Sequence, residues 1–195
     1  MIKEGIQMKK KKVIDVLLTI AIVFCFCIAG LLMYRNICYD EIVVSGNSME
    51  TTLHDGDLGY IKTTNSAKEG IKRFDIVVLK LEDNYEIIKR VIGLPGEKIL
   101  IKENGAILIN NVEIEQNFID QERIEKTYIS NTYACKDELL IPNDSYYVLG
   151  DNRGNSTDSR IRGVFKANSV DGVLKVIYKH CDSENVCKLV SPKWF

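Results

Sequence analysis

Apolar and polar positions divide this chain into two regimes. From Val13 to Tyr34 almost every residue is apolar, with Asp15 near the start. About 20 apolar residues, rising 1.5 Å each as a helix, match the roughly 30 Å hydrocarbon core of a bilayer. Lys9-Lys10-Lys11-Lys12 precedes the run. The positive-inside rule then makes residues 1–12 a cytoplasmic basic tail, 13–34 a transmembrane anchor, and everything after Arg35 extracytoplasmic. Asp15 can sit at headgroup level beside the lysines. A cleavable leader would end in small residues of the Ala-x-Ala type. The run ends instead in Gly30-Leu31-Leu32-Met33-Tyr34-Arg35, so a retained single-pass anchor is expected.

After Ile37 the pattern shortens to that of strands. Glu41–Val44, Leu58–Thr63, Asp75–Lys80, Tyr85–Ile92, Lys98–Ile101, Ala106–Ile109, Tyr146–Leu149 and Gly172–Tyr178 are short runs rich in Val, Ile and Tyr. Gly, Asn and Asp punctuate them. Asn104-Gly105, between two such runs, predicts a hairpin turn, and Asn110-Asn111 reads as another. No long stretch beyond the anchor carries a helical period. The expected fold is therefore mostly antiparallel β, a barrel or sandwich over residues 36–101 and 143–180. Residues 102–142 are polar and irregular, with Tyr128, Tyr133 and Leu139-Leu140 as scattered apolar points. They read as a small β insertion packed on the main domain, or as a partner-binding surface. Residues 181–195 read as a C-terminal tail.

Composition narrows this picture. With 46% hydrophobic and 27% charged residues, the 195-residue chain is composed as a folded domain rather than a disordered one. A net charge of -1 and scattered Lys and Arg give no reason to expect nucleic acid. Of six cysteines, Cys25 and Cys27 fall in the apolar run and act as small hydrophobes. Cys38, Cys135, Cys181 and Cys187 lie outside it. Cys181 and Cys187 are spaced to close a short disulfide loop, but the pairing of the four stays open. There is no CxxC, and His54 and His180 are the only histidines, so a zinc site is poorly supported and no cofactor is expected.

Three stretches carry candidate chemistry. In Val43-Val44-Ser45-Gly46-Asn47-Ser48-Met49, two β-branched residues lead into a Gly-Asn turn that presents Ser48 at a strand end. A serine there is usually a turn residue, but it becomes a nucleophile if a neighbouring base takes its proton. Alternation along Tyr85–Ile92 puts Ile87, Lys89 and Val91 on one face and Ile88, Arg90 and Ile92 on the other. Apolar neighbours on both faces draw at least one charged residue inward. A lysine stem commonly snorkels to water. A buried amine instead sheds its proton and can serve as a base, which arginine cannot do, so Lys89 is the candidate. Third, Gly150-Asp151-Asn152-Arg153-Gly154-Asn155-Ser156-Thr157-Asp158-Ser159-Arg160 follows a strand and is dense in hydrogen-bonding groups. Its Asp and Arg residues can pair to rigidify the loop, and Ser156 or Ser159 can orient the amine. Neither His54 nor His180 is placed to complete a Ser-His-Asp triad.

Taken in order behind one anchor, these pieces resemble the bacterial type I signal peptidases, membrane-bound Ser/Lys endopeptidases. The matching residues are Ser45-Gly46-Asn47-Ser48-Met49 with Thr52-Leu53, Asp75-Ile76-Val77-Val78, Lys89-Arg90-Val91-Ile92-Gly93-Leu94-Pro95-Gly96-Glu97, and Gly150-Asp151-Asn152-Arg153 with Ser156, Asp158, Ser159 and Arg160. The single anchor and compact size look like the Gram-positive members. The resemblance implies Ser48 as nucleophile and Lys89 as general base. It also implies Met49 shaping the substrate pocket, Ser156 hydrogen-bonded to the lysine, Asp158 paired with Arg160, and Asp151 and Arg90 in support. The implied substrates are secretory preproteins with small residues before the cut. The bilayer is the implied surface partner.

Two positions depart from the family pattern. Thr51 stands where proline is usual, and Phe74 where glycine is usual. Gly46 replaces a hydroxyl residue that some relatives carry two positions before the nucleophile, which leaves the oxyanion to backbone N–H groups. Two other readings compete. Ser/Lys domains also occur in self-cleaving repressors, but those are soluble and bind DNA. A non-catalytic, membrane-anchored module that binds peptides or assists assembly is the other.

Overall fold

The computed structural model describes residues 2–63, 70–82, 85–130, 132, 134, 137–181 and 187–194. The chain forms two units, Met1–Tyr39 and Asp40–Phe195. The first is helix α1 (Ile2–Cys38). Its side chains from Lys12 to Ile37 are all exposed, and Lys12–Cys38 is long and apolar enough to cross a membrane. A helix suits such a segment because every backbone polar group is bonded within it, as hydrocarbon requires.

The second unit is built mostly from antiparallel strands. In chain order they begin with β1 (Tyr39–Val43), β2 (Leu58–Lys62), β3 (Ile76–Lys80) and β4 (Glu86–Gly93). Then come β5 (Lys98–Ile101), β6 (Ile107–Ile109), β7 (Val112–Glu113) and β8 (Leu139–Leu140). The last are β9 (Ser145–Leu149), β10 (Phe165–Lys166), β11 (Val170–Cys181) and β12 (Cys187–Trp194). Among the described residues two short α-helices interrupt them, α2 (Gln121–Glu125) and α3 (Ser159–Arg162). The larger sheet runs β1-β2-β11-β3-β4-β9-β10, with β12 also paired to β11. The smaller runs β7-β6-β5-β8.

Local turn chemistry sets the small sheet. Gly105 adopts φ +81, and the Asn104 side chain accepts from the Ala106 N–H at 3.1 Å, closing β5 onto β6. Asn110 and Asn111 both take positive φ, 50 and 66, as a tight turn between β6 and β7 requires. Ile99, Ile101, Ile107 and Ile109 then pack on Ile92, Tyr147 and Leu149 of the main sheet in one buried cluster. Strand β4 feeds all three apolar clusters of the domain, through Ile92, Val91 and the partly buried Ile88. It is covered on both faces from Lys89 onward.

Several boundaries move. Strand β5, drawn with the main domain, pairs instead with β6 and β8, so the insertion takes its first strand from before residue 102. Residues read as a C-terminal tail include β12, whose backbone pairs with the second half of β11. That strand has no alternating pattern of its own; its partner supplies the hydrogen bonds. Cys181 and Cys187 are register partners by backbone. Their side chains, with Cys135 and Tyr133, lie outside the described residues. Cys25, Cys27 and Cys38 are free thiols.

Candidate active site

Ser48 sits in a turn pinned at both ends. Before it, the Val44 N–H donates to Asp57 O at 2.8 Å, and Gly46, at φ +84, donates its N–H to Asp55 Oδ1 at 2.7 Å. After it, Met49 and Leu53 are 1% and 0% exposed and pack with Ile61, Ile76 and Leu174. The Glu50–Thr51 peptide bond is cis. Across the turn, Asn152 donates from its N–H to Ser48 O and from Nδ2 to Asn47 O, each at 3.0 Å. The first and third chemical stretches are therefore stitched together through backbone.

Lys89 enters from β4, between β3 and β9. Its side chain is 3% exposed, and its Nζ lies 2.7 Å from Ser48 Oγ and 2.9 Å from Ile88 O. Burial pushes the amine down to about 8; Asp158 and Asp151 push back up, and Arg160 and Arg162 push down. The hydroxyl and the amine, 41 residues apart in sequence, thus meet at bonding distance with the amine partly neutral near physiological pH.

Two buried ion pairs hold this arrangement. Arg90 grips Asp151 through Nε at 2.9 Å and a terminal nitrogen at 2.6 Å, and also donates to Phe74 O at 2.9 Å. Thr52 Oγ1 donates to the same Asp151 carboxylate at 2.5 Å. Arg160 grips Asp158 in the same forked way, at 2.8 Å twice. Asp158 caps α3 and accepts from the Gly150 N–H at 3.0 Å. Its carboxyl stays below the usual range: burial pushes it up, and the Arg160 guanidinium and the Gly150 N–H more than offset that. Gly150 has no room for a side chain, since a Cβ would fall 2.2 Å from Ser156 Oγ and 2.5 Å from Ser48 O.

The serines of the third stretch do not do what was expected of them. Ser156 makes no bond to Lys89; its buried hydroxyl falls outside hydrogen-bond geometry with any partner, although it is near enough to Asp158 to help keep that carboxylate ionised. Gly150 and the Ser48 carbonyl crowd it on the other side. Ser159 Oγ accepts from the Val148 N–H at 2.9 Å and so serves β9. His54 engages Asp57 rather than Ser48.

Residues without an assigned role in the sequence reading also matter. Arg153, 2% exposed, donates to Gly150 O at 3.0 Å and to Gln116 Oε1 and Thr127 Oγ1 at 2.6 Å each. Arg160 reaches the carbonyls of Lys126 and Thr127. The insertion therefore braces the catalytic loop through two arginines. The Arg90 guanidinium lies 4.3 Å from the Phe118 ring centroid, and Phe118 meets Phe74 at 5.2 Å. Arg153 was visible in its motif; its partners in a polar, irregular segment gave no local signal.

Ser48 and Lys89 open onto a groove of about 470 Å³. One part of its wall is apolar, from Ile42, Val44, Met49, Val78 and Ile88; Asn155, Thr157 and Arg162 give another part that is polar. A serine hydroxyl against a buried amine, beside a groove on a β domain, is the arrangement that serine hydrolases with a lysine base require.

Comparisons with known proteins place the chain in a family. A family described as "Signal peptidase, peptidase S26" matches residues 13–179, and the chain belongs to it. It is similar to signal peptidase I of Bacillus amyloliquefaciens, 35% identical over 150 residues, which cover 75% of this chain and 79% of the relative. Signal peptidase I P of Bacillus subtilis subsp. natto is 32% identical over 182 residues, covering 91% of this chain and 95% of that one. The crystal structure of a signal peptidase I from Enterococcus faecalis V583 is 32% identical, with a TM-score of 0.43 over 54% of this chain and 97% of its own.

Proposed function

We propose that this hydrolase removes signal peptides from secreted preproteins with Ser48 as nucleophile and Lys89 as general base. The observation that carries the assignment is the 2.7 Å approach of Nζ to Oγ with the amine buried. With a pKa of about 8, roughly one amine in ten is neutral at pH 7. Neutral Lys89 takes the Ser48 proton as Oγ attacks the scissile carbonyl carbon. The Ser48 N–H donates to no protein acceptor among the described residues and is free to hold the oxyanion. Protonated Lys89 then gives its proton to the leaving amine. The amine, neutral again, activates water, which hydrolyses the acyl-enzyme and frees Ser48.

Met49 closes the floor of the groove, and its apolar wall favours small residues before the cut. Asp151 with Arg90 and Asp158 with Arg160 hold the loop that carries the Ser48 carbonyl's partner, Asn152. Ser156 fills the space beside Gly150 and supports Asp158 rather than the amine. The family is membrane-anchored, and α1 is suited to that task. The lysines before it set the N-terminus in the cytoplasm and the β domain outside. Ser48→Ala and Lys89→Ala should each abolish cleavage of a precursor peptide, with the far-UV circular dichroism unchanged. Undiminished cleavage by either variant refutes the assignment.

A further inference from the structure

The charges around the groove are not all paired. Asp151 is taken by Arg90 and Asp158 by Arg160, both pairs buried. Glu86, also on the groove wall, lies 3.7 Å from Lys80, which Asp171 holds more closely at 2.6 Å. Lys89 must be neutral to act. That leaves Arg162, the last residue of α3, exposed on the groove wall beside Asn155 and Thr157. Among the described residues its guanidinium has no ion pair or side-chain hydrogen bond. Its field nonetheless reaches the reacting pair, since it is among the charges that lower the Lys89 amine.

We propose that Arg162 is a specificity residue that favours substrates carrying an acidic side chain close to the scissile bond. With the buried carboxylates Asp151 and Asp158 already matched, an unpaired cation on the groove wall takes its counter-ion from whatever lies in the groove. A bound peptide also displaces water there, which strengthens the attraction over that of a fully solvated pair. An extended peptide turns alternate side chains to opposite sides. The preference therefore appears at one substrate position and is absent at its immediate neighbours. This proposal rests on the Ser48–Lys89 assignment.

The test is a peptide walk with the full-length protein in detergent micelles. One precursor peptide is made with Glu, Gln or Lys stepped through the positions on either side of the cut, and kcat/KM is measured for each. Wild type should prefer Glu over Gln by about 3- to 5-fold at one position, the upper range for a partly exposed pair. Arg162→Gln should bring that ratio to about 1, and Arg162→Glu should reverse it in favour of Lys, each effect shrinking as salt is raised. A Glu/Gln ratio identical in wild type and both variants at every position overturns the proposal. Ser48→Ala is run alongside on the Gln peptides. If it cleaves them as wild type does, the catalytic assignment is what has failed, and the proposal falls with it.

Discussion

Replacing Lys89 by methionine should abolish activity yet raise stability at neutral pH. In the fold the amine's pKa is lowered from 10.5 to about 8, mainly by burial. Above the unfolded value both states are neutral at this site and there is no penalty. Below about 8 both are protonated, and the folded state bears the full cost of a buried charge. In between, the unfolded chain binds more protons, so stability climbs with pH. At about 1.4 kcal/mol per pH unit, the drop to about 8 amounts to roughly 3 kcal/mol of destabilisation near pH 7. At 3% exposure, solvent screens little of it. Methionine keeps an unbranched stem of similar shape and gives up the bonds to Ser48 Oγ and Ile88 O, each worth about 0.5–1 kcal/mol. The net expectation is a gain of about 1–2 kcal/mol near pH 7 that shrinks as pH rises and turns into a loss of about 1–2 kcal/mol near 10.5, where only the two lost bonds count. Urea unfolding of wild type and variant across that range reads it directly. A variant less stable than wild type at every pH, or a margin that does not change with pH, refutes the reasoning.

Other outcomes follow from the same geometry. For wild type, kcat/KM should rise with pH along a limb centred near 8, where the free enzyme's amine loses its proton; a limb centred on an ordinary lysine value contradicts a buried base. Asp158→Asn strands the buried Arg160 charge and should cost about 3–5 kcal/mol in denaturant unfolding. It also removes the largest influence raising the Lys89 amine, so the activity limb of the surviving enzyme should move to lower pH. Phe74 holds φ +74, a conformation that favours glycine. Phe74→Gly and Phe74→Ala both lose the contact with Phe118, but the glycine variant should be the more stable by about 1 kcal/mol in urea unfolding.

Features that depend on a few neighbouring residues were legible in the chain itself. The apolar run of Val13–Tyr34 became α1, and Asn104-Gly105 and Asn110-Asn111 became turns, because backbone preference and exposure are set within a few positions. The antiparallel strands were legible for the same reason, and ordered motifs resembling a family singled out Ser48 and Lys89 as the candidate reacting groups. What tertiary structure alone decided was proximity and solvent. Whether the Lys89 amine would be buried and shed its proton depended on β3 and β9 closing around β4, and no local pattern contains that event. The third stretch could not announce that Ser156 would face Asp158 instead of the amine, or that Arg153 would be anchored by Gln116 and Thr127 from the insertion. A chain specifies its turns by local sterics, but a pKa and a 2.7 Å contact across 41 residues are properties of the space that distant segments enclose.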